Sequence, residues 1–438
     1  MKIINTWICQ IKKNSIIPTY GDLEIVDGII KSITARNIES TSKIKKGGDD
    51  IIDVEGRLLT IPQINFHDHF YSRLAKGLPL KGKMDNFHNI LKNLWWKLDV
   101  ELDIDMVRAC AQMAVMESIR NGVTYIFDHH SSPNYSKGSL KEIADVLTET
   151  GLNGVLCFET TDRNGLGLAK SGLDENKDFL NNHTRENIKA MLGLHASFTL
   201  SEESLLNASE LMKENDLGIH IHLCEDKIDR EESIRQFNLS PVERLNNHDL
   251  LNDKSILSHG IHLTEDDYKK VSAFECAIAY NPDSNMNNSV GLASFNIPST
   301  IQIIMGTDGM HSNPSKSLKQ LFLLSRHSGN SFEESFTLVQ RIFFDQVKFV
   351  KKYFPSFSLL AENERADFII WDYIPPTPVT KENFWGHFIY GAIERSIHSV
   401  LNNGTVLLKD YKINVDEERY NSNTIKQGNR LYKKLLNT

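Results

Sequence analysis

The run Ile64-Asn65-Phe66-His67-Asp68-His69-Phe70 decides how the rest of this chain is read. Side chains two apart on a strand point the same way, so His67 and His69 present two imidazoles to one interior point. Alone, an H-x-H is weak. Its weight comes from the runs that follow. Apolar stretches at 59–66, 123–128, 154–158, 190–195, 218–223, 255–259, 277–280 and 301–305 alternate with helical patterns, the signature of a parallel sheet. Eight such units predict an α/β fold built on a TIM-like (β/α)8 barrel over residues 58–358.

The helices between them carry their own signals. Residues 104–121 place Met106, Ala109, Met113 and Met116 on one stripe, read as core, and stop at Gly122. The segments 201–215 and 264–274 open on Ser201 and Thr264 followed by acids, which suits helix N-termini. A helical region is expected at 315–354. Outside the barrel, strands are expected at 3–11, 23–26, 28–33 and 51–54, with a polar stretch at 43–50. Further strands are expected at 366–372, 397–401 and 405–408, the last two joined by the turn Asn402-Asn403-Gly404, and a helix at 422–436. Neither end has enough strands to bury a core, so residues 1–57 and 359–438 are expected to share one small β-sandwich-like module that includes the terminal helix.

Composition narrows the partners. The chain has 438 residues and a formal charge of −8, which disfavours nucleic acid and anionic membranes. No stretch approaches the 18 or so apolar residues of a membrane span, and the N-terminus lacks a secretory h-region. Five scattered cysteines without CxxC spacing favour neither disulfides nor a thiolate zinc site. The expected partner is a small-molecule substrate, with no nucleic acid and no membrane, the expected home is the cytoplasm, and a homo-oligomer is left open.

Functional residues of a parallel barrel sit at the C-terminal ends of its strands. His67 and His69 end the first, His222 the fifth, His259 the sixth and Asp308 the eighth. Three histidines and an aspartate suit one divalent metal, zinc or ferrous iron, with room for a water whose pKa falls to about 7. Glu225, three residues after His222, stands where a proton shuttle belongs. His259 reads either as a ligand or as a group that polarises the hydroxide, and Asp308 as acceptor of the water's proton. His220 lies one step deeper and reads as a packed core imidazole, and Cys224 as a buried thiol.

These motifs, H-D-H at 67–69, H-I-H-L-C-E at 220–225, S-H-G at 258–260 and G-T-D-G at 306–309, resemble the amidohydrolase superfamily. The likeness is to its triazine hydrolase and chlorohydrolase branch, which includes guanine and cytosine deaminases, and within it to the SsnA aminohydrolase family. The segments 70–72, 94–99, 127–133, 157–164, 284–288, 366–367 and 398–400 extend it through nearly the whole chain. The resemblance implies that His67, His69, His222 and Asp308 hold a single metal, Glu225 moves protons, His259 orients the hydroxide and His195 binds substrate. Dinuclear relatives carry a carbamylated lysine on strand four, and residues 190–195 hold none. Gln63 and Asn281-Pro282-Asp283 depart from the usual pattern without touching a proposed ligand.

The expected function is a metal-dependent aminohydrolase, a deaminase that attacks a C–N bond of a small nitrogen heterocycle through a metal-activated hydroxide. Trp95, Trp96, Phe158 and His195 are the candidate substrate-binding residues. A chlorohydrolase or amide hydrolase using the same site is the alternative within the enzyme class. A catalytically silent scaffold is the alternative outside it, and intact Glu225, His259 and Asp308 argue against it.

Overall fold

The computed structural model describes residues 1–38, 51–79 and 81–436, so the polar stretch at 43–50 lies outside the described residues. The chain divides into two compact units. The first comprises Met1–Ile64, Met116–Thr124 and Val350–Val415, and it is a β module drawn from both ends of the chain. Its nine-stranded sheet is organised around Lys2–Lys12, which pairs antiparallel with Ser15–Val26 and parallel with Ile51–Asp53 and Leu58–Thr60. Phe368–Trp371 then adds antiparallel to Leu58–Thr60, followed by Ile397–Asn402 and Thr405–Lys409. The expected turn at 402–404 forms, and a Cβ on Gly404 would stand 2.7 Å from the Gly28 Cα. Both glycines have positive φ, so two tight turns from opposite ends of the sequence touch backbone to backbone where no side chain fits.

The second unit comprises Asn65–Val115, Tyr125–Phe349 and Asp416–Thr438 and carries the barrel. Its strands are Gln63–Asp68, Val123–His130, Asn153–Phe158, the pair Ile188–Ala190 and Leu192–Ala196, Ile219–Leu223, Ile256–His259, Ala277–Tyr280 and Gln302–Met305. The fifth to eighth strands pair in parallel and in order, and the second pairs in parallel with the third. Parallel bridges Thr160 to Leu194 and Asp68 to Asp308 join the third strand to the fourth and the eighth to the first. The ring is therefore closed. The rings of Phe66, Phe127 and Phe349, all fully buried, pack with centroids 4.8 to 6.2 Å apart. Met106, Ala109 and Met116 are buried as their stripe predicts.

The structure corrects four boundaries. The run 59–66 is two strands, Leu58–Thr60 in the first sheet and Gln63–Asp68 in the barrel, because Pro62 has no N–H to continue a ladder. The fourth strand breaks at Met191: Ile188–Ala190 pairs with the third strand and Leu192–Ala196 with the fifth. The helical region at 315–354 is two helices, Pro314–His327 and Phe332–Tyr353, separated by Gly329 at φ +94°. The terminal helix, Glu417–Leu436, groups with the barrel unit rather than the β module, since Leu431 is buried among Leu74, Leu98, Leu102 and Met106.

Directly under the first strand's functional end lies a buried ion pair. Arg73 Nη2 is 2.6 Å from Asp68 Oδ1, both side chains are fully buried, and Arg73 also donates to the His69 carbonyl and to Ser312 Oγ. Removing one partner of such a pair strands the other charge in a dry interior. We expect Arg73→Met to lower the barrel's unfolding free energy by about 3–5 kcal/mol in urea titration, and the added change Asp68→Asn to recover part of that loss.

Candidate metal centre

The four expected ligands reach the site from three strand ends. His67 is the fifth residue of Gln63–Asp68, and His69 directly follows the strand. His222 lies in Ile219–Leu223, and Asp308 follows Gln302–Met305, where the Thr307 and Asp308 N–H groups both donate to the His67 carbonyl at 2.9 Å. Asp308 and His259 have φ of 52° and 74°, the left-handed region that non-glycine residues seldom enter. Strained backbone at these two rim positions accompanies side chains gathered at the site.

The four groups converge. One ligand atom from each of His67, His69, His222 and Asp308 lies within 4.8 Å of the others. His69 Nε2 is 3.0 Å from His222 Nε2 and 3.0 Å from Asp308 Oδ1, while His67 Nε2 is 3.7 Å from the same oxygen. The far nitrogens fix the tautomers. His69 Nδ1 meets the His129 carbonyl at 2.6 Å and His222 Nδ1 the His195 carbonyl at 3.0 Å. A carbonyl only accepts, so both Nδ1 atoms carry the proton and both Nε2 atoms carry lone pairs. Two lone pairs and a carboxylate oxygen at 3.0 Å repel unless a cation lies among them. Buried His67 Nε2 has no hydrogen-bond partner among the described residues, while its Nδ1 meets His220 Nε2 at 2.8 Å. The donor set of three imidazoles and a carboxylate, each held from behind, fits a divalent metal. Without a metal a proton takes the cation's place: burial would lower the His69 pKa, yet Asp308 holds it at about 9, and burial would raise that of Asp308, yet His69 keeps it far below the usual carboxylate range; a bound metal displaces that proton from His69 Nε2.

Glu225 and His259 stand beside this cluster, with His259 Nε2 3.4 Å from Glu225 Oε2. His259 Nδ1 meets Asn285 Oδ1 at 2.8 Å, and Asn288 Nδ2 donates to Glu225 Oε1 at 3.3 Å. Burial pushes Glu225 up to about 7, against the opposing pull of His259. A carboxyl poised near neutrality both takes and gives a proton at physiological pH.

An open cavity with about 670 Å3 of unfilled space lies against the cluster. Among its lining residues are His69, His222, Glu225, Asp308, Trp95, Trp96 and His195. Phe158 does not line it. The residue is 2% exposed, and its ring packs against His130 with centroids 5.8 Å apart. His220 is buried as expected, but it does more than fill space, since it contacts His67 Nδ1 and Ser258 Oγ.

Sequence reasoning assigned no role to His129, Glu159, Arg163 or Asp99. His129 ends the second strand and Glu159 follows the third, so the rim rule that found the other residues applied to them too. His129 Nδ1 is 3.4 Å from Glu159 Oε2, and a ligand atom of each lies within 4.8 Å of His69 and His222. Glu159 also takes an ion pair from Arg163 at 3.1 Å and stands 3.8 Å from His195 Nε2. Burial alone would raise its pKa, but His195, His129 and Arg163 hold it well below the carboxylate range.

Residues 63–408 match the family model described as the amidohydrolase family. The chain belongs to that family. It is a hydrolase that acts on carbon–nitrogen bonds. It is 26% identical over 421 residues to 5′-deoxyadenosine deaminase of Methanosphaera stadtmanae, covering 93% of each chain. It is 24% identical over 430 residues to 5-methylthioadenosine/S-adenosylhomocysteine deaminase of Syntrophomonas wolfei, covering 92% of this chain and 94% of the relative. Its fold is similar to that of atrazine chlorohydrolase from Arthrobacter aurescens TC1 complexed with zinc, with a TM-score of 0.79, 16% identity, and coverage of 98% and 99% of the two chains. No helix among the described residues is long and apolar enough to cross a membrane.

Gly306 tests whether the first-strand imidazole must sit where it does. A Cβ there would stand 2.6 Å from His67 Cβ and 2.3 Å from Asn281 Oδ1. We expect Gly306→Ala to fold, judged by far-UV circular dichroism, while weakening metal retention by about tenfold or more in chelator competition.

Proposed function

We propose that this amidohydrolase is a deaminase that removes ammonia from a small nitrogen heterocycle, with His67, His69, His222 and Asp308 holding one divalent ion. The observation that carries it is the crowding of three imidazole nitrogens and a carboxylate with Glu225 and His259 alongside. A single ion is supported by the ligand arithmetic. Of three ligand groups, two share His69 and His222, whose imidazoles each offer one lone pair and so cannot serve two ions, while the third shares Asp308 with the first and otherwise consists of Glu225 and His259, which this reading gives to proton handling. Three nitrogens and one oxygen suit zinc ahead of ferrous iron.

When bound, the ion supplies Lewis acidity and lowers the pKa of a water toward about 7. The protein does the rest. Asp308, fixed by Ser284 Oγ and the Gly309 N–H, accepts a proton. Glu225, balanced near neutrality, carries protons to the ring nitrogen and the leaving amine. His259, locked through Nδ1 by Asn285, directs Nε2 to the developing negative charge. Trp95, Trp96 and His195 border the substrate, and Arg163 stands over the Trp96 ring at 5.5 Å. The two sequence relatives, deaminases of 5′-deoxyadenosine and of 5-methylthioadenosine/S-adenosylhomocysteine, favour deamination over dechlorination.

We assign catalysis to the barrel whose strands run from Gln63–Asp68 to Gln302–Met305. Five free, buried cysteines are compatible with a cytoplasmic protein. Glu225→Gln keeps volume and hydrogen bonding but cannot shuttle a proton. We expect it to retain the wild-type metal content while ammonia release falls by about 100-fold or more; undiminished turnover would remove Glu225 from the mechanism.

A further inference from the structure

The cavity is lined by six carboxylates, those of Asp99, Glu159, Glu225, Asp226, Asp229 and Asp308, and by one guanidinium, Arg163. Some of that acidity is committed. Asp308 belongs to the metal group, Asp229 accepts the Cys224 and Phe198 N–H groups, and Asp226 caps the helix Lys227–Phe237. Asp99 and Glu159 are different. Both are buried, and the partner they share is Arg163: Nη1 is 3.1 Å from Glu159 Oε1, and Nη2 bonds Asp99 Oδ2. The arginine is therefore clamped between two carboxylates, with its Cζ 5.5 Å from the Trp96 ring centroid and its side chain only 8% exposed. Two negative charges surround one positive charge, and the one guanidinium that lines the cavity among the described residues is already paired. Asp99 Oδ1 and Arg163 Nε find no hydrogen-bond partner among the described residues, so the cluster retains polar capacity on this wall.

We propose that the Asp99, Arg163 and Glu159 cluster makes this cavity select uncharged or cationic nitrogen heterocycles and exclude their anionic derivatives. The proposal rests on the aminohydrolase reading of the same site and adds the charge class of its substrate. An entering phosphate meets an excess of carboxylate in a confined, partly desolvated space, where like charges repel far more strongly than in water. A donor-rich neutral ring or nucleoside meets acceptors instead.

The test pairs adenosine, guanosine and cytidine each with its 5′-monophosphate. Ammonia release is followed with the zinc-loaded protein, and binding by calorimetry with zinc-loaded Glu225→Gln. For whichever pair is accepted, the neutral member is expected to be favoured by about 100-fold or more in kcat/KM or Kd. Asp99→Asn removes one charge and releases Arg163, so that ratio should shrink to about tenfold or less, and Glu159→Gln should shift it the same way. A monophosphate handled within about threefold of its nucleoside, a ratio unmoved by both variants, or failure of every neutral compound to bind would overturn the proposal. Neutral compounds that bind preferentially without releasing ammonia would refute the deaminase reading and leave this selectivity standing.

Discussion

The crowding of His222 Nε2 and Asp308 Oδ1 around His69 Nε2, each 3.0 Å from it in a buried site, is the constraint on which the rest depends, because the three electron-rich atoms repel unless a cation lies among them. Left alone, such a cluster would relax or take up a proton. The barrel prevents relaxation. Each imidazole is gripped at its other nitrogen, His69 and His222 by backbone carbonyls of neighbouring strands and His67 by His220. Two rim residues accept left-handed backbone, and Gly306 gives up its side chain so that His67 can stand close. Local conformational cost is set against a geometry that a divalent cation stabilises.

The same packing sets the electrostatics of the cavity. Burial alone would neutralise its carboxylates, yet Glu159 stays ionised because His195, His129 and Arg163 face it, and Asp308 because His69 does. Glu225 has weaker opposition and sits at about 7. One wall thus separates acids that remain charged from an acid that exchanges protons, which is the division of labour hydrolytic deamination needs.

Much of this was legible in the residues. Period-two spacing and the strand-end rule located His67, His69, His222, His259 and Asp308, because both follow from backbone geometry that side chains do not alter. Less legible was whatever depends on packing between distant segments. The Pro62 break was a local signal overridden by an apolar run that reads as one strand. The division at Met191 reflects a strand whose two halves pair with different neighbours. Phe158 was a candidate for stacking in the pocket beside Trp95, Trp96 and His195, but successive strand positions face opposite sides, and the ring turns to His130. The Asp99 and Arg163 pair, 64 residues apart, had no signature in spacing at all. The terminal helix carried an apolar stripe whose partner, the Leu98 to Met106 region, only the folded chain reveals.

The most direct test of the central claim is anomalous diffraction from crystals of the purified protein, collected across the zinc edge. The account predicts one strong peak about 2.0–2.3 Å from His67 Nε2, His69 Nε2, His222 Nε2 and an Asp308 carboxylate oxygen. A fully loaded protein whose peak lies elsewhere, or metal-free crystals in which these four atoms keep their spacing after zinc soaking, would contradict it.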